Sequence, residues 1–323
     1  MAFALTPSSM GEQDEEPEDT FEDTPFTAAA DDNPFETPGG QDEEVYHYTS
    51  EEIERNRWIS LSRDGVETTE TDEEVIRILD YARQDNATNR VSESYISDDK
   101  FFEEATKEKR AIIGSDNRYG FPQYGLRGRS CTIGLMQNGC TAFLIGPRHA
   151  ITASHCVYNF TTNRWKQDIG IYMRRDCLVY GTFIDWTRVW VLDVTGDKRS
   201  NMAFILLNSS FPCWLGFGFT DPMPTTHVET CGYHGDKRSS VYACYYCSNC
   251  YAALEPTYNT RMRDTCDNYR APGSPMVADS GHAIGVHSHH SPRYNYAVRI
   301  TKDRFYMLCK WMCVTGATCS VLC

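Results

Sequence analysis

All 14 cysteines of this chain lie between Cys131 and Cys323, and the 130 residues before them contain none. An even number of cysteines confined to one segment indicates a disulfide framework made in an oxidising compartment. Because disulfides hold distant segments together, this distribution predicts a cross-linked body preceded by a different kind of segment. We therefore expect a secreted, extracellular protein, although the apolar start Met1–Leu5 lacks the length and positive flank of a signal peptide.

The net charge changes sign near residue 110. Residues 1–110 carry 31 acidic and 10 basic side chains, and residues 111–323 carry 14 acidic and 21 basic side chains. The net charges of the two parts are therefore −21 and +7. This asymmetry is typical of an acidic tail beside a folded body, and the opposite signs favour docking of the tail on the body.

The acidic part predicts a pro-segment. Residues 1–44 are rich in Glu, Asp, Pro, Thr and Gly, a composition that predicts disorder. Residues 45–110 are expected to be partly helical, because 72–83 have helical spacing with Thr71 or Asp72 as N-cap. The basic pair Lys109-Arg110, just before an apolar start, indicates a processing site, and the alternative is an ordinary charged linker.

Beyond Cys131 the chain consists of short apolar runs separated by Gly, Pro, Asn and Asp, which predicts an all-β barrel or sandwich. The clearest candidate strands are Thr141–Ile145, Ala150–Ala153, Ile171–Met173 and Ala203–Leu207. The amphipathic stretch Lys302–Met312 predicts a terminal helix. No uninterrupted apolar run is long enough for a membrane span.

Residues 140–156 read CTAFLIGPRHAITASHC: two candidate strands, bracketed by cysteines, of which the second ends in Thr-Ala-Ser-His-Cys. This segment resembles the histidine segment of chymotrypsin-like serine proteases. The resemblance implies that His155 is the retained triad histidine and that Cys140 and Cys156 form a disulfide behind it. It also implies that residues 111–323 form a trypsin-like double six-stranded β-barrel with a C-terminal helix.

The family places its triad aspartate at the start of a strand of the form Asp-x-Ala-x-x-x-Leu. The matching segment here is Asn201–Leu207, so Asn201 occupies the aspartate position. The carboxylate holds the histidine in the right tautomer and stabilises the imidazolium, and an amide in its place lowers turnover by roughly 10⁴. A distorted loop that brings in Asp193 or Asp197 is the alternative.

The family's serine lies three residues before a proline, within Gly-x-Ser-Gly-(Gly or Ser)-Pro. Alignment on Pro275 in the segment Ala271–Val277 places Pro272 at the serine position. Proline offers neither a nucleophile nor an N–H for an oxyanion hole. The alternative is a shifted turn in which Ser274 is the nucleophile. The aspartate that pairs with a new N-terminus in trypsin-like enzymes is replaced by Ala271, so that activation route is absent.

Within the family the chain resembles bacterial glutamyl endopeptidases and the animal serine proteases 23 and 35. His287 falls where glutamyl endopeptidases carry a histidine that receives an acidic substrate side chain, and a buried histidine of the second barrel is the alternative. A metal site is one alternative for His282, His287, His289 and His290, and a zinc site is one for Cys244, Cys247 and Cys250 with Cys231. Disulfides are the favoured interpretation of these cysteines, and we expect no metal or cofactor.

These features imply a catalytically inactive, secreted serine protease homologue that binds a protein or peptide partner, with acidic partners favoured. Its own pro-segment is one possible occupant of the basic body. The alternatives are an active endopeptidase using His155 and Ser274, preferring acidic residues, and a structural protein cross-linked by disulfides. No nucleic acid is expected as a partner. Acceptor triplets for N-glycosylation begin at Asn86, Asn159 and Asn208.

Overall fold

The computed structural model describes residues 47–96, 118–120, 128–174, 181–192, 200–237, 244–267, 271–291 and 294–319. The predicted disorder over residues 1–44 and the processing site at Lys109 and Arg110 lie outside these residues. The first described elements are α1 (Ser50–Arg55), β1 (Trp58–Ser62), β2 (Glu67–Thr69), α2 (Asp72–Gln84), β3 (Asn89–Val91), β4 (Tyr95–Ile96) and β5 (Tyr119–Gly120).

Helix α2 begins at a capping box. The Thr71 hydroxyl accepts a hydrogen bond from the Glu74 N–H at 3.3 Å, and the Glu74 carboxylate accepts one from the Thr71 N–H at 2.9 Å. Two of the backbone donors that a helix start leaves open are thereby satisfied. The apolar residues that recur at helical spacing bury one face of the helix: Val75, Ile78, Leu79 and Ala82.

The first barrel is built from the antiparallel strands that follow. These are β6 (Ile133–Met136), β7 (Thr141–Gly146), β8 (His149–Thr152), β11 (Ile171–Met173), β12 (Thr182–Ile184), β13 (Trp186–Leu192) and β14 (Ala203–Leu207). They pair in the order β12-β11-β6-β7-β8-β14-β13. Only Asp185 separates β12 from β13, so one nearly continuous strand pairs with both ends of this sheet. A small hairpin, β9 (Tyr158–Asn159) with β10 (Arg164–Trp165), follows the histidine segment.

The second barrel is closed. After β15 (Cys213–Trp214) and β16 (Gly218–Thr220) come its strands, β17 (Thr226–Tyr233), β18 (Tyr245–Glu255), β19 (Tyr258–Asp264), β20 (Pro275–Ala278), β21 (Ala283–His290) and β22 (Asn295–Arg299). They pair in the order β17-β20-β21-β22-β19-β18, and β18 pairs again with β17. Two antiparallel barrels are the architecture that the resemblance implied.

The last described helix is α3 (Lys302–Val314). It begins at the predicted residue and runs two residues beyond the predicted end. Eight of its residues are buried. One apolar cluster joins this helix to both barrels and includes Phe143, Phe204, Tyr233, Leu308 and Trp311. The described residues from His47 onward form one compact unit, and no described helix is long and apolar enough to cross a bilayer.

Candidate functional site

His155 lies in a single 3-10 turn, Ser154–Cys156, that directly follows β8. A disulfide joins Cys140, directly before β7, to Cys156, at the end of the turn. Strands β7 and β8 are paired, so the disulfide closes the loop that carries the histidine. The His155 side chain is half-buried, whereas Ser154 and Cys156 on either side are fully buried.

Asn201 lies beside this turn because β14, which begins two residues later, pairs with β8. Its amide oxygen accepts hydrogen bonds from the Ser154 hydroxyl at 2.8 Å and from the His155 backbone N–H at 3.0 Å. Its amide nitrogen donates to the Ser288 hydroxyl at 2.7 Å and lies 2.8 Å from Nδ1 of His155. The described structure therefore brings together His155, the residue predicted at the aspartate position, and a serine of β21.

The hydrogen bonds of Asn201 fix the direction of its amide. Two donors, from Ser154 and from the His155 backbone, hold the carbonyl oxygen, so the NH₂ group faces Ser288 and the His155 ring. The amide nitrogen can therefore donate to Nδ1 of His155, and this predicts a neutral imidazole with its proton on Nε2. An active triad has the opposite arrangement, because its carboxylate holds the proton on Nδ1.

Pro272 belongs to a loop, 271–274, that packs against the strands leading to His155. The Pro272 carbonyl accepts a hydrogen bond from the Thr141 N–H at 2.9 Å, at the first residue of β7. Gly273 has a φ of +87°, and a Cβ there would overlap with the Thr141 carbonyl and the Thr152 hydroxyl. Pro272 itself is half-exposed.

Ser274, the alternative nucleophile, is fully buried. Its hydroxyl donates to the Ala271 carbonyl at 2.8 Å, within its own loop. The same hydroxyl packs against Gly232 of β17, where a Cβ would overlap with it. Its backbone joins β21, because the Ser274 carbonyl accepts from the His287 N–H at 2.8 Å and the Gly273 N–H donates to the His287 carbonyl at 2.9 Å.

His287, the predicted substrate-pocket residue, precedes Ser288 in β21 and is buried, with 1% of its surface exposed. Burial lowers the pKa of His287 well below its usual value, and the nearby imidazoles lower it further. Its Nδ1 has no hydrogen-bond partner among the described residues. The imidazoles that act on it are those of His289, His234, His290 and His155.

Comparisons with known proteins find proteases of low sequence identity. No protein-family model matches the chain. A glutamyl endopeptidase of Bacillus licheniformis is 25% identical over 229 residues, which cover 62% of this chain and 69% of that protein. Serine protease 23 of Bos taurus is 23% identical over 261 residues, covering 64% and 66%. An extracellular metalloprotease of Bacillus subtilis is 25% identical over 280 residues, covering 79% and 88%.

A solved structure of a Glu endopeptidase covers 62% of this chain and 98% of its own, with a TM-score of 0.57 and 20% identity. This superposition shows the fold. The chain is a homologue of the chymotrypsin-like serine proteases. The double barrel with a terminal helix predicted from the histidine segment is confirmed.

The cysteines of this protease homologue form disulfides in its described part. Five pairs are Cys131–Cys213, Cys140–Cys156, Cys231–Cys247, Cys250–Cys266 and Cys309–Cys319. Cys244 is also disulfide-bonded. Among the described residues, each group of three possible metal ligands contains two cysteines of one disulfide. These sulfurs are not the thiolates that zinc requires.

The predicted glycosylation sites differ in their surroundings. Asn86 and Asn208 are exposed, and Asn159 is half-buried. The side-chain oxygen of Asn159 accepts hydrogen bonds from the backbone N–H groups of Thr161 and Thr162, both at 3.0 Å. Glycosylation at all three remains a prediction.

Two residues of the site were not assigned a role from the sequence. The Ser288 hydroxyl accepts a hydrogen bond from the Asn201 amide nitrogen and lies 2.9 Å from Nδ1 of His289. His234 follows β17 and contacts a guanidinium nitrogen of Arg118 at 3.2 Å. No local pattern in the sequence assigns either residue a role, and only the pairing of strands brings them to the site.

Proposed function

We propose that this chain is a secreted protease homologue without catalytic activity, and that it binds an acidic segment of a protein partner in the cleft beside His155. The observation that carries the proposal is the backbone of loop 271–274. Its hydrogen bonds to Thr141 and His287 support the alignment that puts Pro272 at the position of the nucleophile, and Ser274, two residues further along, is buried.

Two groups that acyl transfer requires, a nucleophile and a base, are both affected at this site. Acyl transfer needs a hydroxyl or thiol and a base that removes its proton. Pro272 supplies no hydroxyl and no backbone N–H for a developing oxyanion. The Nε2–H tautomer of His155, which the amide of Asn201 favours, presents a donor where a base is required. In a serine protease whose nucleophile is intact, an amide at this position alone lowers turnover by roughly 10⁴.

Binding of an acidic segment is supported by the groups around His287. Four other imidazoles lie close enough to change its pKa, and its own Nδ1 has no hydrogen-bond partner in the described structure. Because His287 is buried, a ligand carboxylate would meet the half-buried His155 and His289 and the exposed His290. Hydrogen bonds from imidazoles to a charged acceptor are stronger than neutral ones.

Paired peptides test both parts of the proposal. Fluorescent octapeptides that contain Glu at one position are compared with the same peptides containing Gln, by anisotropy for binding and by mass spectrometry for cleavage. We expect the Glu peptides to bind about tenfold more tightly than the Gln peptides and to remain intact. The variant His290→Ala should remove much of this preference, because His290 is an exposed member of the imidazole group.

A matched control is His227→Ala. His227 lies on β17 of the same barrel, seven residues from His234, and pairs with Asp279 at 2.7 Å. Seven residues of strand span roughly 23 Å, so this histidine is far from the cleft. Hydrolysis of the peptides that stops in His155→Ala would overturn the claim of inactivity. Equal binding of Glu and Gln peptides would overturn the claim of an acidic ligand.

A further inference from the structure

Residues 47–96, which we call the N-terminal strap, contain no cysteine. Every contact between the strap and the barrels is therefore non-covalent, apart from the chain that continues from residue 97. The strap comprises the helices α1 and α2 and the strands β1, β2, β3 and β4. If the chain is cut after residue 96, these non-covalent contacts alone determine whether the strap stays bound to the barrels.

Three of its strands pair with the body. Strand β1 pairs over five residues with β13 of the first barrel, from Trp58 opposite Leu192 to Ser62 opposite Arg188. Strands β3 and β4 pair with β16 and β15, which lie between the two barrels in the chain. Paired strands satisfy backbone groups that would otherwise require water or another chain, so the strap covers edges that the body would expose without it.

Between β3 and β4, Ser92 makes a reciprocal contact. Its N–H donates to the Phe217 carbonyl at 2.8 Å, and its hydroxyl accepts from the Phe217 N–H at 2.9 Å. Ser92 is buried. This contact fixes the strap against a residue whose side chain is fully buried in the central apolar cluster.

The strap also contributes to that apolar cluster. The Trp58 side chain is 1% exposed, and its ring lies edge-on to that of Trp311 in α3, with centroids 4.3 Å apart. Ile78 and Ala82 of α2 belong to the same cluster as Leu308 and Trp311. Side chains of the strap and of α3 are thus parts of one hydrophobic core. Removal of the strap would expose apolar side chains of α3 to water, and the reverse also holds.

Polar contacts link the strap to the same helix. Lys310 of α3 forms an ion pair with Glu70 at 3.0 Å, and their side chains are only 15% and 10% exposed. Asp85 accepts from the Tyr306 hydroxyl, and its backbone carbonyl accepts from the Lys302 ammonium. Burial and the Asp85 carboxylate together raise the pKa of Tyr306 to about 12. Removal of either partner of a buried ion pair leaves an uncompensated charge.

We propose that the strap is a permanent, non-covalently bound subunit of the domain. A cut between residues 97 and 117, including the one predicted after Arg110, would then produce a two-chain protein that retains residues 47–96 on α3, β13, β15 and β16. The strap is not a pro-piece that leaves. This inference does not depend on whether the cleft is catalytic.

Engineered cleavage of the full chain provides the test. A recognition sequence for a site-specific protease is inserted after Arg110, the protein is cut, and a denaturing gel verifies the cut. Gel filtration in native buffer is expected to give one peak that contains both fragments, with the same elution volume as the uncut protein. Fragments that separate in native buffer, with the larger one retaining its circular dichroism spectrum, would overturn the proposal.

A charge swap tests whether the described interface is responsible. In the cut protein, Glu70→Lys should accelerate dissociation of the strap at least tenfold, and Lys310→Glu in the same chain should restore slow dissociation. The control is Glu73→Lys, the same charge change at an exposed position of α2. The far-ultraviolet spectrum of each uncut variant shows whether it folds. An equal effect of Glu70→Lys and Glu73→Lys, or no rescue by Lys310→Glu, would contradict the assigned contact.

Discussion

The amide nitrogen of Asn201 lies 2.8 Å from Nδ1 of His155, closer than the 3.2 Å between that ring nitrogen and the amide oxygen. The amide oxygen is held by the Ser154 hydroxyl and the His155 backbone N–H. The amide nitrogen is thus the nearer partner of the His155 ring, and the amide oxygen is occupied by two other donors.

The tautomer of His155 follows from this contact. We predict that neutral His155 carries its proton on Nε2, because Nδ1 accepts from Asn201. Nitrogen-15 chemical shifts of the imidazole distinguish the two tautomers. In Asn201→Asp the carboxylate can only accept, so the proton should move to Nδ1. A wild-type spectrum with the proton on Nδ1 would contradict this account of the site.

The packing of loop 271–274 predicts different effects at two glycines. Gly273 and Gly281 have φ values of +87° and +89°, but a Cβ overlaps with Thr141 and Thr152 at Gly273 and meets open space at Gly281. Gly281→Ala should therefore cost about 1 kcal/mol of unfolding free energy, from backbone strain alone. Gly273→Ala should cost about 3 kcal/mol, because strain and overpacking add. Urea unfolding measures both, and equal losses would mean that the loop is not packed as described.

Asp264 makes stability depend on pH. Burial raises the pKa of this fully buried carboxyl to about 7, although hydrogen bonds from the Cys266 N–H and Asn295 lower it in part. The folded state therefore retains a proton that the unfolded state releases near its ordinary pKa. The protonated Asp264 carboxyl therefore contributes to the free energy of unfolding in full below about pH 4, and this contribution is lost as the pH rises towards 7.

The variant Asp264→Asn isolates this effect. Glu70 and Asp303 are half-buried carboxyls whose pKa values are also raised by desolvation, so the wild-type slope has more than one source. Between pH 4 and 7 the unfolding free energy of wild type should fall more steeply than that of the variant, by roughly 4 kcal/mol over the interval. Parallel curves for the two proteins would show that Asp264 ionises normally in the fold.

Short-range patterns in the sequence were sufficient to predict several of the helices and strands. The N-cap of α2 (Thr71, one of two candidates with Asp72), its apolar spacing and the strands around His155 could be predicted because each depends on neighbours within a few residues. The start of α3 at Lys302 was found for the same reason. The family resemblance then gave the architecture, which no local pattern could supply.

The pairing of strands that lie far apart in the sequence could not be predicted. The five residues of β1 have no distinctive pattern, and their partner in β13 lies more than a hundred residues away. The sequence therefore predicted a partly helical segment over residues 45–110, and the structure adds strands of residues 47–96 that pair with the body. The role of Ser288 could likewise not be predicted, because it depends on a hydrogen bond from the distant Asn201 amide.

The most direct test of the central claim is covalent labelling with a fluorophosphonate, which reacts with an activated serine, followed by peptide mapping. We predict no label on the wild-type protein, because Pro272 has no hydroxyl and Ser274 is buried against Gly232. The double variant Asn201→Asp/Pro272→Ser should acquire label at residue 272. Stoichiometric labelling of Ser274 in the wild type, abolished by Ser274→Ala, would contradict the account.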